Sequence, residues 1–590
     1  MSRMKSVFAI AVMIALAGAV QAANAQATLK ALIVGASGSW QAMAVGTYKT
    51  GACPTGSVGG CGHATFGKTT VVNLIDTRPS PAVTEVGAQI WIVWDHQTTA
   101  CATTCNVWAY VKVDSIVGNR CFFATPRCNV TIPSFGPVEN LINVNAAWPN
   151  PEDTPPGLVQ AIFTTGHLVN VAATEVRPED AAFGQCRINS IAGGGSDGLD
   201  GLGYGLNASG VCPTFASPAA NKSGTQLTSA YPGSLNTANP LAFNISGKDP
   251  FTNSTVPAFT TVNVGAVPLI FVIDRENAAG LQGVSNVSLG QLQTVFSGTS
   301  CLGSDLGGGA GNINVFVREP LSGTMNTAEY TTFRLPRDAA GNYAGVSQET
   351  GLTGLNPVSN QPCTVGGARY RPIGNGDETN FILHSADGTK TVVGQDGIGY
   401  FFFSYGNIKS LSHSTKYGYL QINGVDPIWE VYGSTYDPGE AIVQGLFGSG
   451  SLPNSSSDLP AACPGNVFPC PETTIWKGGL SFPNLRNGSY RQWTMIRLVG
   501  QTGSTSLTAA QALVTSAQSS VVSKVPDFVP AVLTGADPGL KLLRSHYTQD
   551  GVAPKNSGPD AGGDEGGCIQ PSGSVATKLV QRDPGCAVGQ

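Results

Sequence analysis

The turn at residues 318–324 carries the clearest chemistry in the chain. It begins with a permanent cation, Arg318, and ends with Ser322, Gly323 and Thr324. The two hydroxyls can donate hydrogen bonds, and the glycine allows the backbone to approach a ligand closely. This set of groups suits an oxoanion, although an ordinary strand-to-helix turn with a solvated arginine would use the same residues.

The residues around this turn predict the elements that would position it. Residues 313–317 alternate and are rich in β-branched side chains, as is typical of a strand. Residues 325–334 are predicted to form a helix. Because a helix N-terminus offers unpaired amide donors and the positive end of the helix dipole, an anion would be stabilised at this turn.

A second glycine-rich turn lies close to the N-terminus. Residues 29–34 are predicted to form a strand that leads into a Gly/Ser turn at residues 35–40 and then into a short helix. This order is typical of an anion-binding loop, and a tight turn without a ligand is the alternative. The turn is not Gly-x-Gly-x-x-Gly and no Walker lysine follows it, which disfavours nucleotide binding.

The composition favours a loop-rich globular protein. Only 12% of the residues are charged, glycine (75) and proline (38) are abundant, and a hydrophobic content of 41% is enough for a core. The net charge of −5 and the absence of a Lys/Arg cluster argue against a nucleic-acid-binding surface. An anionic ligand would therefore be held by local donors.

The N-terminus predicts export. Arg3 and Lys5 precede an apolar run at residues 7–20, so residues 1–25 are predicted to be a cleaved signal peptide. No later stretch approaches about 18 uninterrupted apolar residues. We therefore expect a mature chain without a membrane span, located in the periplasm or outside the cell.

The fourteen cysteines favour disulfides in an oxidising compartment. None of them forms a Cys-x-x-Cys motif, so a zinc site is disfavoured and no metal is expected. Connectivity cannot be derived from the sequence. The sequential neighbours that could pair are Cys53/Cys61, Cys101/Cys105, Cys121/Cys128, Cys186/Cys212, Cys301/Cys363, Cys463/Cys470 and Cys568/Cys586.

Further elements follow from periodicity and capping signals. Ser288 and Gln291 form a capping box that predicts the start of a helix. Glu175 follows a predicted strand and could face either solvent or a ligand. The predicted strands lie at residues 71–75, 88–94, 107–113, 168–173, 266–274 and 397–403, the helices at 289–296 and 505–524, and a polar turn at 114–120.

In their order along the chain, these segments resemble the periplasmic phosphate-binding proteins of phosphate ABC transporters. The strongest parallel runs from residues 267–272 through the capped helix at 289–298 to Arg318 and residues 322–324. Residues 397–400 are similar to the family's return strand, residues 35–40 to its N-terminal phosphate loop, and residues 173–175 to its Ser-Asp segment. The resemblance covers about half of the chain, in pieces.

The resemblance implies an α/β fold of two lobes that close on a ligand about a hinge. The boundaries that it implies are a signal peptide at 1–25, a first lobe at 26–265 with insertions at about 52–150 and 193–263, a second lobe at 266–396, a return to the first lobe at 397–548 and a Gly/Pro-rich tail at 549–590.

The resemblance also implies a set of ligand-binding residues and no cofactor. The residues carried over are Arg318, Ser322, Gly323 and Thr324 from the second lobe, Ser39 and the Trp40 amide from the first, Glu175 in place of the family's aspartate, and Ser115 as a further hydroxyl. Monohydrogen phosphate could donate its proton to Glu175, whereas sulfate has none at neutral pH. A buried carboxylate facing sulfate would be costly.

Two departures from the family pattern leave the ligand open. Glutamate is one methylene longer than aspartate, and the family's glycine-rich loop between the first turn and the acid is not recognisable here. The ligand could be another oxoanion, or binding could be lost.

Three classes of function remain after this comparison. We expect a monomeric solute-binding protein that serves an ABC permease, with no catalytic residues. The alternatives are a secreted, phosphatase-like hydrolase and a surface interaction module that kept the fold. Residues 194–198 match Gly-x-Ser-x-Gly but lack a preceding apolar strand, and the six histidines show no metal-binding spacing.

Overall fold

The secondary structure alternates short strands and helices along much of the chain. The computed structural model of the protein describes residues 26–40, 42–44, 47, 63–68, 73–76, 83–86, 89–95, 104–135, 154–176, 178, 253–319, 322–333, 348, 361–372, 374–386, 388, 391–403, 417–428, 482–486, 489–523, 528–531, 542–544 and 569–571. The strands are β1 (Gln26–Gly35), β2 (His63–Lys68), β3 (Asn73–Asp76), β4 (Val83–Val86), β5 (Gln89–Asp95), β6 (Thr104–Lys112), β7 (Asn129–Thr131), β8 (His167–Leu168), β9 (Val171–Thr174), β10 (Phe259–Asp274), β11 (Asn286–Val287), β12 (Asn314–Phe316), β13 (Gln361–Pro362), β14 (Ala368–Tyr370), β15 (Gly397–Phe402), β16 (Tyr417–Tyr419), β17 (Gln421–Ile422), β18 (Trp493–Gln501), β19 (Val529–Pro530), β20 (Leu542–Arg544) and β21 (Ile569–Pro571). The helices are α1 (Ser115–Phe123), α2 (Gly157–Thr164), α3 (Leu289–Phe296), α4 (Gly323–Ala328), α5 (Gly374–Leu383), α6 (Pro483–Arg486) and α7 (Thr505–Ser523), with a 3₁₀ turn at Gly303–Leu306 and a π-helical turn at Glu329–Phe333.

A large mixed sheet organises the fold. In the described part of the chain it has thirteen strands in the order β13-β14-β12-β15-β10-β18-β9-β1-β6-β5-β2, with β16 and β19 also paired to β10. β10 joins two halves, because residues 259–268 pair with β18 and residues 269–273 pair with β15. We call β9, β1, β6, β5 and β2, with the loops and helices that follow them, the first half. The second half consists of β15, β12, β14 and β13, with the loops and helices that follow these strands. The predicted α/β class is confirmed.

Three parallel strands form the core of the first half. β1 pairs in parallel with β6 on one side and with β9 on the other. Their apolar side chains, among them Ile33 and Val111, are fully buried, as expected of parallel strands covered on both faces. α1 packs so closely on β1 that a Cβ on Gly118 would lie 2.5 Å from the Val34 carbonyl oxygen. The glycine therefore permits the approach that brings the start of α1 to the edge of the sheet.

The second half has its own parallel core, with β12 between β14 and β15. The predicted capping box of α3 is confirmed, since Ser288 Oγ accepts from the Gln291 amide at 3.2 Å and Gln291 Oε1 accepts from the Ser288 amide at 2.8 Å. The helix ends before Gly298, whose φ of 75° is left-handed. Its buried face consists of Leu292, Val295 and Phe296.

Several predicted elements are confirmed to within a few residues. They are the strands at 29–34, 88–94, 107–113, 266–274 and 397–403 and the helices at 325–334, where α4 begins at Gly323, and 505–524. By contrast, the polar turn predicted at residues 114–120 is wrong, because α1 begins there. All nine residues of α1 are buried, including Ser115, Asn119 and Arg120, so its polar residues do not mark a solvent-exposed face. β18 and α5 have no counterpart among the predicted elements.

Two of the seven possible disulfides are confirmed. Cys121 is bonded to Cys128, and Cys301 is bonded to Cys363. Cys105 is also disulfide-bonded. The other cysteines lie outside the described residues, as do the predicted signal peptide at 1–25 and the Gly-x-Ser-x-Gly match at 194–198.

The predicted boundaries between lobes and insertions stay predictions. Within the segment predicted as an insertion at about 52–150, β6 pairs directly with β1 in the central sheet. Among the helices of the described ranges, none is both long and apolar enough to span a membrane. The described side chains include no cluster of three or more His, Cys, Asp or Glu residues suited to a metal ion.

Candidate functional site

The candidate site lies at the carboxyl ends of the parallel strands in both halves. In the first half, β1 leads into the turn at residues 35–40, β6 leads to Ser115 and β9 leads to Glu175. In the second half, β12 leads to Arg318 and β14 leads to α5. Ligand sites in α/β sheets form at this end of the strands, because loops and helix N-termini converge there.

Glu175 is buried and held by its neighbours in the first half. The Ser115 hydroxyl donates to Glu175 Oε2, and the Glu175 amide lies 3.4 Å from Ser115 Oγ. Asn119 Nδ2 donates to the Ser115 carbonyl and to Thr174 Oγ1, each at 3.0 Å. Thr494 Oγ1 donates to the Glu175 carbonyl at 2.6 Å. These contacts fix the carboxylate at the edge of the sheet.

Gly323 of the second half lies directly against this carboxylate. A Cβ at this position would lie 2.3 Å from Glu175 Oε2 and 2.4 Å from Ser115 Oγ. A Cβ on Gly38, in the N-terminal turn, would lie 3.5 Å from Glu175 Oε1. Three segments that are distant in sequence therefore meet around one carboxylate.

Ser322 and Thr324 flank Gly323 at the start of α4. Ser322 is the N-cap, and its Oγ accepts from the Thr324 amide at 3.1 Å and the Met325 amide at 3.4 Å. Both side chains are buried. As an acceptor, the Ser322 oxygen keeps its own proton as a donor, so capping the helix and binding an oxoanion are compatible roles.

Ser39 and Trp40 are buried in the first half beside Tyr110. Ser39 Oγ lies 3.4 Å from the Tyr110 hydroxyl. The Trp40 amide donates to the Ser37 carbonyl at 3.2 Å, and its indole donates to the Tyr110 carbonyl at 3.0 Å. The pKa of Tyr110 is raised above its ordinary value, mainly by burial. The hydrogen bond with Ser39 opposes this shift, and the negative charge of Glu175 adds to it. Tyr110 therefore stays protonated at neutral pH near Glu175.

Arg318 is buried among acceptors of its own protein. It pairs with Glu319 through two hydrogen bonds of 2.8 Å, from Nε and Nη2. Its Nη1 donates to Asn375 Oδ1 and to Glu378 Oε2, the latter at 3.4 Å, and its Nη2 lies 3.8 Å from Asp114 Oδ1. A guanidinium without contact with water needs such partners for its five N–H groups.

The pKa shifts in this cluster arise from burial and from the positive charge of Arg318. Burial alone would raise the pKa of Glu319, but the charge and hydrogen bonds of Arg318 outweigh it and lower that pKa. For Glu378 burial prevails over Arg318 and raises the pKa to about 8. Burial alone would lower the pKa of Arg318, but the charge and hydrogen bonds of Glu319 raise it above its ordinary value. Near neutral pH, Arg318 and Glu319 are ionised and Glu378 is protonated.

The structure adds residues to the candidate site that the sequence did not single out. Asn375 and Glu378 lie in the first turns of α5, Asn375 within the Gly-Asn-Gly sequence that begins the helix and Glu378 two residues after it. Tyr110 lies on β6 within an apolar run and has no local signal. The full set of added residues is Ser37, Gly38, Tyr110, Asp114, Asn375 and Glu378.

The chain is similar to solved phosphate-binding proteins at the level of the fold. It is similar to an ABC-type phosphate transport receptor from Vibrio cholerae, with 13% identity, coverage of 45% of this chain and 70% of the other, and a TM-score of 0.24. It is similar to a putative phosphate ABC transporter substrate-binding protein with bound phosphate from Clostridium perfringens, with 14% identity, coverage of 47% and 72%, and a TM-score of 0.26. It is also similar to a DING protein, with 13% identity, coverage of 68% and 78%, and a TM-score of 0.25.

No model of a protein family and no curated protein matches the sequence. Because the identities and TM-scores of the similar structures are low, the roles proposed below rest on the geometry of the site.

Proposed function

We propose that the protein binds phosphate, or a similar small oxoanion, between the two halves of its sheet. The observation that carries this proposal is the contact of Gly323 with Glu175 and Ser115. A carboxylate, a hydroxyl and the start of a helix come from distant parts of the chain and meet at one point. A site between two such halves can surround a small ligand on most sides.

The affinity of the proposed site depends on the number of hydrogen-bond donors around this point. The donors are the hydroxyls of Ser39, Ser322 and Thr324 and an N–H group of Arg318, because Ser115 already donates its proton to Glu175. A hydrogen bond to a charged group contributes about 1.5–3 kcal/mol, and micromolar affinity requires about 8 kcal/mol. Four such contacts contribute about 6–12 kcal/mol before the cost of ordering the ligand, so micromolar affinity needs at least this number of donors.

Arg318 supplies the positive charge. Its Nε and Nη2 each donate to Glu319, and Nη2 also lies 3.8 Å from Asp114, which is longer than a hydrogen bond. Asp114 immediately precedes Ser115, so this edge of the guanidinium is the one that a bound anion would approach. Glu319 orients the arginine while neutralising part of its charge.

Glu175 accepts the proton of the ligand in this proposal. Monohydrogen phosphate can donate a hydrogen bond to a buried carboxylate, whereas sulfate presents only lone pairs and negative charge. The site therefore favours phosphate over sulfate.

The cellular role that fits this site is that of an exported solute-binding protein. The predicted signal peptide and the disulfides fit the periplasm or the extracellular space. The two halves would close on the anion about β10, which joins them. The protein would then deliver its ligand to an ABC permease.

Isothermal titration calorimetry with phosphate, sulfate and molybdate tests this function. We expect one saturable site for phosphate. The absence of heat with all three anions would contradict the proposal. Turnover of a phosphate ester would instead favour the predicted alternative of a hydrolase.

A further inference from the structure

Asn375 joins the two halves of the site through its side-chain amide. Its Nδ2 donates to Ser37 Oγ at 3.1 Å, and its Oδ1 accepts from Arg318 Nη1. Ser37 lies in the N-terminal turn of the first half, two residues before Ser39. One side chain therefore connects both of the turns that the proposed function assigns to the anion. We call this connection the Ser37–Asn375–Arg318 bridge.

The start of α5 holds Asn375 in place. The Gly374 amide donates to Glu319 Oε1 at 3.2 Å, and Thr379 Oγ1 donates to the Asn375 carbonyl at 2.7 Å. The side chain of Asn375 is only 9% exposed. Because Glu319 Oε1 also accepts from Arg318, the arginine and the first turn of α5 share one carboxylate oxygen. Asn375 and Arg318 are therefore positioned as a unit.

We propose that Asn375 is a positioning residue, which fastens the two halves when the site closes and holds Arg318 in the orientation that an anion requires. This role rests on the proposed function. It needs a side chain with both a donor and an acceptor, because Nδ2 donates to the Ser37 hydroxyl and Oδ1 accepts from the Arg318 guanidinium. Separation of the halves breaks the bond to Ser37 and leaves Asn375 held only by the second half, so closure and the orientation of Arg318 are coupled.

The bridge acts after the ligand has entered. Since Asn375 reaches Ser37 only when the halves are together, its loss leaves the encounter with the anion unchanged and speeds the escape of the bound anion. Differences in affinity between variants of one site arise mostly in the dissociation rate. Loss of one such hydrogen bond corresponds to about a five- to tenfold faster dissociation.

The first test uses the full-length protein without ligand. Ser37→Ala, Asn375→Ala and the double variant are compared by their urea unfolding midpoints and by hydrogen exchange of the α5 amides. We expect the double variant to be no less stable than Asn375→Ala alone, because both changes remove the same bond. Additive effects of the two substitutions would overturn the bridge, whether or not the protein binds an anion.

The second test measures phosphate kinetics by stopped-flow tryptophan fluorescence, with Trp40 next to the site. Asn375→Ala and Ser37→Ala are expected to raise the dissociation rate about five- to tenfold and to leave the association rate within about twofold. Asn380→Ala, on the exposed side of the same helix, is the matched control and should behave like the wild type. An unchanged dissociation rate in Asn375→Ala would overturn the coupling.

The two tests separate this inference from the proposed function. If the wild-type protein shows neither heat nor a fluorescence change with phosphate, sulfate or molybdate, the proposed function fails. The ligand-free comparison of Ser37→Ala and Asn375→Ala still decides whether the bridge joins the two halves.

Discussion

The carboxylate of Glu175 and the backbone of Gly323 are in direct contact across the two halves of the sheet. A Cβ at position 323 would lie 2.3 Å from Glu175 Oε2, well inside the contact distance of any two heavy atoms. A side chain at this position would displace Glu175 and Ser115 or push the two halves apart. The contact makes the closed arrangement dependent on a single glycine.

Gly323→Ala is expected to weaken phosphate binding by at least about tenfold, equivalent to about 1.4 kcal/mol. The added methyl group would collide with Glu175 and with Ser115, so either these side chains would leave their positions in the site or the second half would move away from it. Titration calorimetry measures the change.

Gly290→Ala is the matched control, because the nearest atom to its new Cβ is Ser288 Oγ at 4.0 Å and the residue lies within a helix. Its phosphate affinity should equal that of the wild type. Equal affinities for Gly323→Ala and the wild type would contradict the assigned closure.

Arg318→Ala is expected to lower the free energy of unfolding by about 3–5 kcal/mol, because it leaves Glu319 buried without its cation. Urea denaturation of the ligand-free protein measures this loss independently of binding. Adding Glu319→Gln to Arg318→Ala removes the stranded charge and should restore part of the stability. A loss below about 1 kcal/mol in the single variant would be typical of an exposed ion pair and would contradict the assigned role of the cluster.

The stability of the ligand-free protein should fall as the pH rises from about 4.5 to about 8. Burial raises the pKa of Glu378 from 4.5 to about 8, so the folded protein keeps a proton there that the unfolded chain releases. The free energy of unfolding therefore decreases with pH in this window and levels off above it. Asp274, whose pKa burial and the charge of Asp396 raise to about 8, acts in the same direction.

Urea unfolding near pH 5, 6.5 and 8 checks this dependence, and Glu378→Gln isolates the contribution of one group. The variant cannot ionise, so its stability should vary less steeply with pH than that of the wild type. Identical slopes for the two proteins would show that Glu378 does not hold the proton.

The two disulfides are expected to differ in their effect on stability, because they close loops of different length. The Cys301–Cys363 bond spans a separation of 62 residues and the Cys121–Cys128 bond spans 7. Loop-closure entropy predicts losses of about 4 and about 2 kcal/mol when each pair is replaced by alanine. Chemical denaturation compares the two double variants, and a larger loss for the shorter loop would oppose this expectation.

The sequence predicted the elements that have local signals. α3 was predictable because Ser288 and Gln291 cap it within four residues, and the strands of the parallel cores are apolar runs of ordinary length. α1 was not, because its polar residues are buried together with its apolar ones. β18 was not, because residues 493–500 are all buried and leave no exposed polar face. α5 begins with Gly-Asn-Gly, which has low helix propensity, and is held by its contacts with β14, β15 and Glu319.

The candidate site was predictable in its residue types but not in their partners. The sequence singled out Arg318 as a direct anion ligand, and the structure pairs it with Glu319, Asn375 and Glu378. The last two lie in a helix whose Gly-Asn-Gly start has low helix propensity, after a long intervening segment, so only the folded chain brings them to Arg318. The contact between Glu175 and Gly323 depends in the same way on the closure of the two halves.

The most direct test of the central claim is the phosphate-to-sulfate selectivity of the wild type and of Glu175→Gln, measured by titration calorimetry at neutral pH. If Glu175 accepts the proton of the bound anion, the wild type prefers phosphate by at least about tenfold, and Glu175→Gln loses that preference because its amide can donate to sulfate. Equal affinity of the wild type for both anions, or a preference that Glu175→Gln leaves unchanged, would contradict the account.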